Sequence, residues 1–205
     1  MKENVIAGQF SVLIGSYARG TATLDSDVDI LRIGHVRQVP LPIFIPKDGV
    51  KSFIDYDQVL FTELYDSGSL FLKHVFQEGI LLEGRHDEWL SIKENFKVAE
   101  VFDEEIRKYA ELLLFSSAFI EYRKAVIPYL STAFKAAKNI GIFHLASNKV
   151  FVFDKKMALV NGCGIELRDA EMLLRANQCY ERFSLLPPPL RNKRTGRVLC
   201  HLERG

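Results

Sequence analysis

Apolar and polar positions alternate in two different rhythms along the chain. In the first half, short apolar runs of strand length stand between turn residues. Phe10–Ile14 and Val28–Ile33 read as the first two strands. Between Ile33 and Phe53 lie Pro40, Pro42 and Pro46, which argue against a helix; the β-rich patch Leu41–Ile45 reads as an edge strand or a loop. Ser52–Phe61 reads as a third strand, with Asp55 and Asp57 on one of its faces. Then Phe71, Leu72, Val75 and Phe76 make a helical stripe, with Ser69 as N-cap and Gly79 as stop, and Ile80–Gly84 forms a short strand. Lys73 and His74 fall on the polar side of that helix, where a solvated or capping role is expected.

From Asp87 the period becomes helical. Asp103 caps a helix carrying Ile106, Tyr109, Leu113, Phe119 and Ile120. Pro128 marks the start or kink of another that runs towards Ile142. Asn148–Asp154 is a break, after which Met157–Val160 and Arg168–Cys179 are helical. The expected organisation is a mixed α/β domain over 1–95, a helical domain over 96–186 and a basic tail over 187–205.

The chemistry concentrates in GSYARGTATLDSDVDI, residues 15–30. Asp27 and Asp29 bracket Val28 at the head of the second strand, so their side chains share one side of it. Adjacent carboxylates repel, and aspartate is a poor strand former. A divalent cation between them reverses that balance, because hard cations take carboxylate oxygens. The Gly15-Ser16 turn upstream offers backbone N–H groups and a hydroxyl to a phosphate. Asp25 has the same parity as the pair and is assigned to the turn.

This block resembles the signature of the nucleotidyltransferase superfamily with the DNA polymerase β-like fold, a G-S turn followed by D-x-D. Gly15, Ser16, Asp27 and Asp29 stand at the matching positions, and the Ala18–Ala22 filler and Ser26 are similar to small prokaryotic members. The resemblance implies an α+β fold, with a small mixed sheet and flanking helices followed by a helical domain. It implies a metal-dependent enzyme that binds a nucleoside triphosphate such as ATP and moves its NMP to a hydroxyl, releasing pyrophosphate. Mg2+ or Mn2+ would be held by Asp27, Asp29 and a third carboxylate, for which Asp57 is preferred and Asp55 is the alternative. Gly15, Ser16 and Arg19 would bind the nucleotide, although Arg19 also suits a surface salt bridge. Two departures from the family are expected: no helix between the second and third strands, and little room for a helix before Phe10.

Composition narrows the setting. The 205 residues are 48% hydrophobic, enough for one domain or two small ones, and a net charge of +1 gives no general case for nucleic acid or membrane. Cys163, Cys179 and Cys200 have no paired spacing, which fits a reducing, cytoplasmic compartment without structural zinc. No apolar stretch has transmembrane length. The helical half offers Lys108, Arg123, Lys124, Lys135 and Lys138 as further phosphate partners. Lys138 and His144 have the spacing of an arginine–histidine ribonuclease signature, but lysine replaces the arginine, and a core or capping histidine is the expected reading. In the tail, Arg191, Lys193, Arg194 and Arg197 form either a strip for an RNA acceptor or a solvated extension. The acceptor stays open among RNA ends, protein side chains and small molecules. The competing classes are a non-catalytic nucleotide- or partner-binding module and the regulatory half of a toxin–antitoxin or defence pair.

Overall fold

The computed structural model describes residue 6 and residues 8–23, 26–34, 39–46, 49–117 and 126–185. These divide into two compact units, Met1–Ala99 and Glu100–Gly205.

The first unit is built on a four-stranded sheet. β1 (Phe10–Ile14) pairs antiparallel with β2 (Val28–Ile33) and with β4 (Ile80–Glu83), while β3 (Lys51–Tyr56) runs parallel to β2. The order is β3-β2-β1-β4, so the two strands legible from sequence lie at the centre, with the bounds expected of them. Every residue of β1 is buried, as a central strand covered on both faces requires. On one face Phe10, Val12, Ile14, Leu31 and Ile33 pack with Phe61, Leu72, Val75, Phe76 and Trp89. On the other, Leu13, Val28 and Ile30 pack with Ile45. The helices of this unit are α1 (Gly15–Arg19), α2 (Gln58–Asp66), α3 (Leu70–Glu78) and α4 (His86–Asn95).

The third strand is shorter than the sequence pattern predicts. β3 stops at Tyr56, and Val59–Glu63 belong to α2. Asp57 is the reason, because its side chain accepts the Leu60 N–H at 2.7 Å and caps the helix. Leu41–Ile45 is not a strand but part of a turn closed by Ile45 N–H to the Pro42 carbonyl at 3.0 Å. Among the described residues no helix separates β2 from β3.

The second unit is helical: α5 (Asp103–Ser117), α6 (Val126–Ser147), α7 (Lys155–Met157), a π turn (Ala158–Gly162) and α8 (Leu167–Leu185). Pro128 sits in the first turn of α6, where its missing N–H costs no hydrogen bond. Phe134, Leu159 and Ala170 form one core cluster. Buried Ser131 donates to Asn177 Oδ1 at 2.8 Å, tying α6 to α8. The π turn meets α6 backbone to backbone: a Cβ on Gly141 would collide with the Ala158 carbonyl, and one on Gly162 with the Gly141 carbonyl. Cys163 and Cys179 are free thiols, and Cys200 lies outside the described residues.

Candidate functional site

The hairpin register brings the candidate residues together. Ile14, the last residue of β1, pairs with Asp29, the second residue of β2. Gly15 follows immediately with φ +73°, and a Cβ there would lie 2.7 Å from Asp29 Oδ2. Glycine is therefore required twice over, for the left-handed conformation and for the closeness of the carboxylate. α1 begins at this glycine from extended Ile14, with no side chain among the described residues capping its first turn. It ends in a Schellman motif: Gly20 (φ +71°) donates to the Tyr17 carbonyl at 3.3 Å, and Thr21 to the Ser16 carbonyl at 2.9 Å.

The return to β2 is fixed by a turn in which Ser26 Oγ accepts the Thr23 N–H at 2.9 Å and Ser26 donates its own N–H to the Thr23 carbonyl at 3.0 Å. Leu24 and Asp25 fall outside the described residues. Asp27 is exposed just ahead of the strand, and Asp29 is half-buried within it. The ladder starts between them, with the Val28 N–H on the Val50 carbonyl at 2.8 Å. Asp29 thus stands against Gly15 at the mouth of the sheet, and Asp27 lies two residues before it on the connection from α1.

The expected third carboxylate is not brought to that pair. In the parallel β2–β3 register Asp29 stands opposite Ser52. Asp57 comes five residues after Ser52, which at about 3.3 Å per residue is roughly 16 Å along the strand, and its carboxylate is occupied as the α2 cap. Asp55 stands opposite Arg32, on the other face from Asp29. It takes Arg32 Nε and Nη2 at 2.6 and 2.7 Å, a bidentate pair that holds the guanidinium's pKa above its ordinary value. Arg32 also lies 4.4 Å above the Phe53 ring. Among the described residues no group of three His, Cys, Asp or Glu side chains is placed to share a metal ion. The two carboxylates beside a glycine cradle nonetheless supply the hard oxygen donors that a divalent cation takes.

Arg19, expected at the nucleotide, is engaged with α3. Its Nη1 donates to Glu78 Oε2 at 2.9 Å, and His74 Nε2 lies 3.1 Å from the same oxygen. His74 is therefore neither solvated nor a helix cap. Glu78 was not singled out from sequence; the His74–Glu78 spacing of four on one helix was the available sign.

In the helical unit, Lys108 lies 3.6 Å from Glu104 on its own helix. His144 is exposed on α6 rather than in a core. Arg123, Lys124 and the basic tail residues Arg191, Lys193, Arg194 and Arg197 fall outside the described residues. Among the described residues no helix is long and apolar enough to cross a membrane.

Comparison with protein families finds a match to the model described as a nucleotidyltransferase domain, over residues 1–127, more than half of the chain. A search of curated proteins finds no match.

Proposed function

The chain belongs to the nucleotidyltransferase domain family, and on that premise we propose that it transfers a nucleoside monophosphate from a nucleoside triphosphate to a hydroxyl acceptor, with pyrophosphate as the second product. The observation that supports this most is the approach of Gly15 to Asp29, which sets a turn suited to phosphates against a carboxylate suited to a cation.

Asp27 and Asp29 would hold a divalent ion, Mg2+ or Mn2+, which supplies charge neutralisation on the phosphates and makes the acceptor hydroxyl more acidic. The protein's own part is positional. Without a side chain at residue 15, phosphate oxygens can reach the uncapped N–H groups at the start of α1. Ser16 adds a hydroxyl donor at the same place. Arg19, whose Nη1 is committed to Glu78, would have its Nη2 for a phosphate oxygen. Held in this way, the α-phosphorus is oriented for in-line attack: the acceptor oxygen bonds to it as the bond to the β-phosphate oxygen breaks.

One observation favours a second reading, nucleotide binding without transfer, because Asp57 serves as a helix cap rather than joining Asp27 and Asp29. A single experiment separates the two. The protein is incubated with each α-labelled nucleoside triphosphate, Mg2+ or Mn2+, and cell lysate. Label appearing on RNA, protein or a small molecule identifies donor and acceptor class. Tight nucleotide binding with no label transferred establishes the binding module, and neither result overturns both.

A further inference from the structure

Glu78 carries two partners on one oxygen. Oε2 lies 2.9 Å from Arg19 Nη1 and 3.1 Å from His74 Nε2, and the side chains of Arg19, Glu78 and His74 are 18%, 16% and 16% exposed. Arg19 Nη1 and His74 Nε2 are themselves 3.4 Å apart. A guanidinium nitrogen only donates, and a His74 Nε2–H directed at Glu78 has no lone pair left for Arg19. The carboxylate is what holds the two nitrogens together.

The two sides of this contact are unequally anchored. Glu78 belongs to α3, which buries Leu70, Leu72, Val75 and Phe76. The His74 ring stands edge-on to Phe71 at 6.3 Å, and Phe71 in turn stands edge-on to Tyr56 at 6.0 Å. Arg19 ends a five-residue helix that has no fully buried residue and a left-handed glycine at each end. Its Nε is buried with no hydrogen-bond partner among the described residues. A side chain that leaves a buried donor unpaired is being held by its other contacts.

We propose that Glu78, oriented by His74, is a positioning residue for the nucleotide: by holding Arg19 it fixes α1, and so sets how the Gly15-Ser16 turn stands over Asp29. This rests on the reading of that turn as the triphosphate site. Glu78 touches no reacting atom in this arrangement, and its influence falls on nucleotide affinity rather than on the cation.

The test measures calorimetric binding of a non-hydrolysable nucleoside triphosphate analogue, binding of Mn2+ alone, and thermal melting, for the wild-type chain and for Glu78→Gln, His74→Leu and His74→Gln. Glu78→Gln keeps the shape and removes the charge, so nucleotide affinity falls about tenfold or more, as for loss of one hydrogen bond to a charged group, while Mn2+ binding is unchanged. His74→Leu weakens the nucleotide as well, and His74→Gln, whose amide can replace the Nε2–H donor, restores it. Unchanged nucleotide affinity in a folded Glu78→Gln overturns the proposal. Should that variant not fold, equal affinities for His74→Leu and His74→Gln overturn it instead. Wild-type protein that binds no nucleoside triphosphate removes the underlying site and this inference together, a result distinct from the other two.

Discussion

Gly15 and Asp29 meet so closely that no side chain fits between them: a Cβ on residue 15 would stand 2.7 Å from Asp29 Oδ2. Gly15→Ala must therefore strain the backbone, at about 1–2 kcal/mol for the left-handed conformation, and displace the carboxylate. Gly20→Ala is the matched control, with φ +71° and no described residue within 4 Å of its Cβ. Both variants should melt at lower temperature. Label transfer should disappear only in Gly15→Ala, and equal transfer by the two would separate the glycine from the chemistry.

Asp27 is exposed just ahead of β2, and Asp29 is half-buried within it. On the proposed reading, neutralising either removes like-charge repulsion along with a ligand of the divalent cation. Asp27→Asn and Asp29→Asn should abolish transfer and weaken Mn2+ binding, with melting temperatures equal to or above that of the wild type. Paramagnetic titration of Mn2+ beside a thermal melt checks this. A destabilised but active variant would contradict the assignment.

Asp57 separates capping from metal binding. Asp57→Ala should cost α2 its cap, about 0.5–2 kcal/mol, and Asp57→Asn should recover most of that. Because Asp57 lies past the end of β3, five residues beyond the Ser52 that faces Asp29, the asparagine variant should also keep its transfer activity. Activity lost at an unchanged urea midpoint would return Asp57 to the metal set.

In the helical unit, Ser131→Ala strands the buried Oδ1 of Asn177. Loss of a partner by a buried polar group costs about 1–3 kcal/mol. The double variant Ser131→Ala, Asn177→Leu should recover part of that loss, and a double-mutant cycle from urea denaturation measures the coupling.

Cys163 adds a pH dependence. Burial raises its thiol pKa, outweighing a backbone hydrogen bond from Gly141 that lowers it. The folded value lies above the unfolded one, so this group's contribution to stability is complete below about pH 8.5, the unfolded value, and is lost as pH rises through the folded value. Folded protein near neutral pH should accordingly alkylate slowly at Cys163 and rapidly after denaturation, as mass spectrometry of iodoacetamide-treated samples would show.

The legible part of the site is the part that folds locally. Gly15, Ser16, Asp27 and Asp29 all lie on one hairpin connection, where the two apolar runs set the register. The end of the third strand is not legible because Val59-Leu60-Phe61 is too short an apolar run for its period to separate strand from helix, and the cap that ends it is a single side-chain bond from Asp57. The Arg19–Glu78 contact is hidden for another reason: the spacing of four marks His74 and Glu78 as neighbours, but Arg19 lies 59 positions from Glu78 and no periodicity announces so distant a pair. His74 looked polar and outward on its own helix because the elements that cover it come from elsewhere in the chain.

The contact between Gly141 and Gly162 has a consequence for how this chain can drift in sequence. A methyl group at either position would push the π turn off α6, and Leu159 would withdraw from Phe134 and Ala170 with it. The two glycines act as a spacing gauge for the helical unit. A relative that replaces one of them must also enlarge a neighbour to refill the core, so these two positions and Phe134 should vary together or not at all.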